Sequence, residues 1–73
     1  MEYNQIQIGK VRDIDYKKGV GEIVTEHNNF LFTIEDITST EKLSVGDVVR
    51  FRAEIVHDIP RAHFVKKADL ENS

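Results

Sequence analysis

The sequence predicts an all-β domain in which five short strands close into a small antiparallel barrel. Three observations support this prediction. Polar and apolar residues alternate with a period of two in several short runs. Turn-forming residues separate these runs at modest intervals. The chain has 73 residues, and closing so small a sheet removes the exposed strand edges that could otherwise pair with other chains.

The first half of the chain contains three of the predicted strands. Residues 5–8 alternate polar and apolar side chains, which is typical of a half-buried strand. Residues 22–25 and 30–34 are rich in β-branched and aromatic residues, and the polar segment 27–29 between them predicts a hairpin. Three glycines would permit the strong bending that a small barrel requires: Gly9, Gly19 and Gly21.

The second half contains the other two strands and one long connection. Residues 35–44 lack a sustained helical stripe of apolar residues, so we expect at most one helical or 3₁₀ turn, near residues 35–37. Residues 49–55 alternate regularly and predict the fourth strand. Residues 62–65 follow the only proline, Pro60, and predict the fifth.

Length and composition indicate one small soluble domain. We expect it to span residues 1–67, followed by a polar C-terminal tail over residues 68–73. The chain has no cysteine, which excludes disulfides and thiolate zinc sites and fits a cytoplasmic location. Neither a signal peptide nor an apolar stretch long enough to span a bilayer is present, so no membrane contact is expected.

The residue types that could support catalysis lack a suitable arrangement. Three histidines lack the spacing of a metal site and are interpreted as surface groups: His27, His57 and His63. The acidic pairs Glu35/Asp36 and Asp13/Asp15 could act as acid and base only in a desolvated cleft, for which so small a barrel has little room. We therefore expect a non-catalytic protein with no metal, no cofactor and no small-molecule substrate.

Charge is distributed unevenly along the chain. The formal net charge of −3 argues against a general polyanion-binding protein. However, residues 9–23 have a net charge of +1 and residues 48–67 a net charge of +3, whereas residues 24–47 have a net charge of −4. If the first and third segments lie side by side, a basic strip would cross an otherwise acidic surface.

Several motifs recur in a recognisable order. Residues 9–23 read GKVRDIDYKKGVGEI, residues 29–37 read NFLFTIEDI, residues 43–51 follow L-x-x-G-x-x-V-x-F, and residues 60–62 read PRA. This order resembles that of bacterial cold-shock domains, which typically show G-x-V-K-W-F-N, K-G-[FY]-G-F-I, D-V-F-V-H-F-S-x-I and P-Q-A. The resemblance covers about residues 8–67 and implies a five-stranded antiparallel OB-fold barrel. The strand pattern alone fits an SH3-like barrel equally well.

The same resemblance implies binding of single-stranded RNA or DNA, but with the aromatic platform lost. The family's ring-bearing and neighbouring positions hold Asp13, Ile14, Val20, Glu22, Leu31, Thr33 and Ile34. Because each stacked base contributes about 1–3 kcal/mol, losing three or four would weaken binding to about micromolar or worse. We interpret Phe30 and Phe32 as core residues rather than stacking groups.

These observations lead to two hypotheses. In the first, the protein contacts single-stranded nucleic acid weakly, in a salt-dependent manner, through basic and neighbouring residues. The candidate binding residues are Lys10, Arg12, Lys17, Lys18, Leu31, Thr33 and Arg61. In the second, the same face docks another protein, or a second copy of the chain, through an apolar patch formed by Val20, Leu31 and Ile34.

Overall fold

The computed structural model describes residues 4–68, which form a closed barrel of five strands in the order β1-β2-β3-β5-β4. The strands are β1 Asn4–Asp15, β2 Val20–Val24, β3 Asn29–Thr33, β4 Val48–Val56 and β5 Ile59–Lys67. The all-β, five-stranded OB-like barrel predicted from the sequence is confirmed. The barrel is mixed rather than wholly antiparallel, because β3 and β5 pair in parallel. From position 69 onward, the predicted polar tail lies outside the described residues.

Strand β1 is far longer than predicted and belongs to both sides of the barrel. Its first part pairs with β4 and its second part with β2. The strands cross closely at Gly9, where a β-carbon would lie 2.6 Å from Ile23 Cγ2 and 2.8 Å from the Val24 carbonyl oxygen. A register shift between Val11 and Asp13 interrupts the alternation, which explains why the sequence pattern reveals only the start of this strand.

The core is built around three phenylalanines. Phe30 and Phe51 are fully buried, with ring centroids 5.1 Å apart and planes tilted by 55°. Phe32 occupies the space above Gly21, where a β-carbon would lie only 2.5 Å from Phe32 Cζ. The interpretation of Phe30 and Phe32 as core residues is therefore confirmed. The other buried side chains are Val11, Ile23, Leu43, Val49, Ala53, Ala62 and Val65.

The β4–β5 connection is a two-residue hairpin turn. His57 and Asp58 both have positive φ, at 51° and 67°, and Val56 pairs with Ile59 on either side of them. This combination matches a type I′ turn, whose twist suits an antiparallel hairpin. Strand β5 consequently begins at Ile59 and includes Pro60, so it starts earlier than the sequence predicted.

The long connection between β3 and β4 is fastened to the barrel at several points. It starts with a 3₁₀ turn at Ile34–Asp36, close to the predicted turn, and Ile37 then pairs in parallel with Val65. Further along, the Tyr16 hydroxyl accepts a hydrogen bond from the Leu43 N–H at 2.8 Å and donates one to the Leu43 carbonyl at 3.0 Å. No helix within residues 4–68 has the length and apolar character that crossing a bilayer requires.

Candidate nucleic-acid interface

The outward residues of β2, β3 and the second part of β1 form one surface, here called the β1–β3 face. Cross-strand partners lie on the same side of a sheet, so pairing arranges these residues in rows. The rows are Lys10–Val24–Asn29, Asp13–Glu22–Leu31–Arg61 and Asp15–Val20–Thr33. Arg61 joins the middle row from β5 through the parallel pairing with Leu31.

An open groove of about 440 Å³ crosses the β1–β3 face. Its lining residues belong to β1, β2, β3 and β5. They are Asp13, Val20, Gly21, Glu22, Leu31, Phe32, Thr33 and Arg61. Three of the predicted binding residues, Leu31, Thr33 and Arg61, are thus brought together. The only ring in the lining is Phe32, which is 1% exposed and cannot stack on a base. The groove therefore lacks an exposed aromatic platform.

Acidic and apolar side chains dominate the middle of the groove. Leu31 is 47% exposed, and the carboxylates of Asp13 and Glu22 lie in the same row. Arg12 is partly neutralised, because its guanidinium lies 3.9 Å from the Glu22 carboxylate. Phosphates entering the middle of the groove would meet like charge from both carboxylates, which weakens binding.

Arg61 has a donor without a partner. Its Nε atom is buried and makes no hydrogen bond within the described structure. Leaving a buried donor unpaired costs about 1–3 kcal/mol. Because this atom has almost no exposed surface, a ligand oxygen could not reach it unless the Arg61 side chain moved. Arg61 is the cation among the described residues that line the groove.

The remaining predicted cations lie outside the groove lining. Lys10 belongs to the first row, at one end of the face, whereas Lys17 and Lys18 occupy the β1–β2 turn beyond the other end. The turn is ordered by Asp15, whose Oδ1 accepts hydrogen bonds from the Lys17 and Lys18 backbone N–H groups at 3.0 and 3.2 Å. All three lysines are exposed and form no ion pair within residues 4–68. The cations thus flank the groove at both ends.

The apolar patch of the docking hypothesis is only partly present. Val20 is 45% exposed and lies in the groove beside Leu31. Ile34 is half-buried and does not line the groove. Its backbone N–H donates a hydrogen bond of 3.0 Å to the Gly19 carbonyl, which places Ile34 against the β1–β2 turn. The exposed apolar surface therefore consists of Val20 and Leu31.

A second surface, which the sequence reasoning missed, lies on β4, β5 and the first part of β1. This β4–β5 face comprises Ile6, Ile8, Arg50, Arg52, Phe64 and Lys66. Phe64 is 61% exposed, and the Arg52 guanidinium carbon lies 5.4 Å from its ring centroid. The alternation of Arg50 and Arg52 with buried Phe51 and Ala53 indicates from sequence that both arginines point outward. No sequence signal places Phe64 outside.

His63 links two carboxylates near the edge of the β4–β5 face. Its Nδ1 lies 2.8 Å from Asp36 Oδ1 and its Nε2 lies 3.0 Å from Glu54 Oε1. Burial alone would raise the pKa of Asp36, but hydrogen bonds from the Thr33 backbone N–H and from His63 outweigh it and lower that pKa. Across residues 4–68, no group of three histidine or acidic residues is arranged to hold a metal ion.

Comparisons with known proteins add no family to this description. No protein-family model matches the chain, and no curated protein is significantly similar to it. The barrel, the groove and the placement of the charged and aromatic side chains are therefore the features that point to a function.

Proposed function

We propose that this protein is a non-catalytic, cold-shock-domain-like binding protein that contacts single-stranded RNA or DNA through cations rather than through stacked bases. One observation supports this most directly. The groove on the β1–β3 face has Arg61 in its middle row, and exposed lysines without ion-pair partners in the described residues lie beyond both ends. A strand lying along the groove could place phosphates near each of these cations in turn.

The fold and the motif order support the family part of the proposal. OB-fold barrels bind oligonucleotides on the face formed by β2 and β3, which is where the groove lies. The motifs that resemble cold-shock domains fall along all five strands, in the same order as in that family. A shared fold alone does not establish a shared function, so the placement of the cations is the stronger argument.

The proposed binding is weak and depends strongly on salt. None of the described residues that line the groove has an exposed ring. The binding free energy therefore lacks the contribution of about 1–3 kcal/mol that each base stacked on an aromatic side chain would make. The carboxylates of Asp13 and Glu22 further oppose phosphate. The remaining driving force is the release of counterions from phosphates. For single strands, the slope of log affinity against log salt concentration is about −0.7 for each phosphate contacted.

A titration followed by backbone amide NMR tests the proposal. Short oligo-U and oligo-dT are added at low ionic strength, and we expect shifts at Lys10, Arg12, Lys18 and Arg61 that disappear at higher salt. Arg61→Gln should weaken binding, whereas Lys42→Gln, with the same change of charge on the long connection, should have little effect. Failure of every oligonucleotide to shift any amide would overturn the proposal.

A second candidate function is docking of a protein segment in the same groove. The exposed side chains of Val20 and Leu31, rimmed by Asp13 and Glu22, fit an apolar segment that has a basic residue beside it. Sedimentation of the pure protein tests whether the segment belongs to a second copy of the chain. Leu31→Asp should abolish any such association or any protein partner's binding, and an unchanged result would count against docking.

A further inference from the structure

The β4–β5 face combines exposed cations with an exposed ring, which the β1–β3 face does not. A groove of about 670 Å³ lies on it, within the size range of ligand sites in general. The groove is lined by Ile6, Thr38, Arg50, Phe51, Phe64 and Lys66. No carboxylate is among these described residues, although the neighbouring groove that shares Thr38 and Phe64 is lined by Glu35, Asp36 and Glu54. Arg50 and Lys66 are direct cross-strand partners and hold two cations side by side.

The two cations of this groove, Arg50 and Lys66, form no ion pair within the described part of the chain. Two acidic residues nearby, Asp36 and Glu54, instead lie 2.8 and 3.0 Å from the ring nitrogens of His63. Lys67, in contrast to its neighbour, is paired with Glu41 at 3.2 Å, and this hydrogen bond together with the charge of Asp47 raises its pKa. Lys66 and Arg50 are therefore free to meet an external anion.

The exposure of Phe64 follows from an irregular backbone. Between the pairs Arg50–Lys66 and Arg52–His63, β5 has one more residue than β4, and Phe64 is at this bulge with a φ of 54°. A bulky residue with left-handed backbone is strained, and such strain is concentrated at functional positions. The bulge turns the ring outward while Val65 remains buried. The fold thus presents a large apolar ring to solvent at a conformational cost.

We infer that the β4–β5 face is a second binding site for single-stranded nucleic acid, in which a base stacks on Phe64 and adjacent phosphates contact Arg50 and Lys66. Single strands offer a flat π-face and a phosphate within one repeating unit, which matches a ring beside a pair of cations. An acidic protein segment would use the cations but would offer no flat π-face to the exposed Phe64 ring, beside which the Arg52 guanidinium lies. This inference rests on the proposed function, because it names the same ligand class at a different surface.

Two matched pairs of substitutions separate the faces. Arg50→Gln with Lys66→Gln removes two charges from the β4–β5 face, and Lys10→Gln with Lys18→Gln removes two from the β1–β3 face. We expect each double variant to weaken the binding reported by oligo-U and oligo-dT amide shifts on its own face only. Each should also reduce the salt dependence of log affinity at that face by about 1.4, twice the single-strand value per phosphate.

Phe64→Asn tests the stacking component, because asparagine tolerates left-handed backbone and should fold. The affinity of the β4–β5 face for the oligonucleotides should fall about 5- to 150-fold, equivalent to the loss of one stacked base. Phe64→Tyr, which keeps a ring, should bind as the wild type does. Inorganic polyphosphate has no bases, so its binding should be the same in all three proteins.

The outcomes distinguish this inference from the proposed function. If only the β1–β3 amides shift, the second site is overturned and the proposed function stands. If no amide shifts at all, both are overturned. If poly-glutamate binds the β4–β5 face as tightly as the oligonucleotides and Phe64→Asn affects neither, this face recognises acidic protein segments, and the inference is wrong.

Discussion

The β1–β3 and β4–β5 faces belong to the same barrel and share strand β1, yet they present opposite chemistry. The first shows an exposed leucine, two carboxylates and one arginine with an unpaired donor. The second shows an exposed phenylalanine and three cations, two of which line its groove, and none of the described residues in that lining is a carboxylate. Because the buried side of every strand forms one common core, the outward residues can change without altering the fold. The two faces therefore illustrate how one scaffold can present acidic and apolar side chains on one side and cationic and aromatic side chains on another.

A bulge contributes to each face, with different results. On β1, the register shift between Val11 and Asp13 leaves both Arg12 and Asp13 exposed, which adds a carboxylate to the middle row. On β5, the extra residue is Phe64, which adds a ring. An inserted residue breaks the strict alternation of inside and outside. Local irregularity of the strands therefore adds to the difference that the regularly paired residues already make between the two surfaces.

The largest expected effect is a loss of stability caused by overpacking beneath the β1–β3 face. Gly21→Ala would place a β-carbon 2.5 Å from Phe32 Cζ and 2.9 Å from the Asp13 carbonyl oxygen. We expect the free energy of unfolding to fall by about 3 kcal/mol, the upper part of the usual range for overpacking. Urea denaturation measures this. When Gly21→Ala is added to Phe32→Leu, the further fall in the free energy of unfolding should be much smaller than about 3 kcal/mol. A fall below about 0.5 kcal/mol for Gly21→Ala alone would contradict the packing described.

The next effect concerns how the long connection is attached on the two sides. Tyr16→Phe removes both hydrogen bonds to Leu43, so unfolding free energy should fall by about 1–2 kcal/mol. On the β5 side, the Thr38 hydroxyl lies 3.4 Å from the Val65 carbonyl, close to the limit for a hydrogen bond. Thr38→Val should therefore change stability by less than about 0.5 kcal/mol. Equal losses in the two variants would show that the attachment is not concentrated at Tyr16.

A third prediction compares the exposed apolar residue of each face. Phe64→Asn relieves a left-handed backbone strain and should raise the free energy of unfolding by about 1 kcal/mol, the low end of the cost of such strain. Leu31→Asn relieves no strain, because Leu31 is not among the positive-φ residues, and asparagine is disfavoured in strands. It should leave stability unchanged or lower it. A loss of stability in Phe64→Asn would mean that the ring stabilises the barrel instead of straining it.

The smallest expected effect is a pH dependence at Asp36, which contacts His63 of β5 and Thr33 of β3. Folding lowers the pKa of Asp36, so its contribution to stability is complete above the ordinary value of 3.8 and is lost as pH falls through the folded-state pKa. The fall in the free energy of unfolding between about pH 5 and about pH 3 should therefore be smaller in Asp36→Asn than in the wild type. Glu35→Gln, the exposed neighbouring acid, is the control. An acid loss in Asp36→Asn as large as that in the wild type would contradict the assignment.

Much of the fold, and less of the site, could be predicted from the residues. The period-two pattern of residues 49–55 predicted β4, and the aromatic runs correctly indicated that Phe30 and Phe32 are buried. The site residues Leu31, Thr33 and Arg61 were predicted, and the structure brings them into one groove. Their union depends on a parallel contact between β3 and β5, which are far apart in sequence. No local pattern encodes such a pairing.

The amino-acid sequence by itself determined the five-stranded barrel, the phenylalanine core, the ringless outward residues of the β1–β3 face and the absence of cysteine chemistry. These follow from the alternation of side chains and from residue identity alone. Only the tertiary structure decided that Phe64 points outward, that Arg61 Nε is buried without a partner, and that His63 joins Asp36 to Glu54. The physical reason is that these features depend on strand register, bulges and contacts between distant segments. The closed barrel selects these through the energies of strand pairing, and the pattern of residues along the chain does not record them.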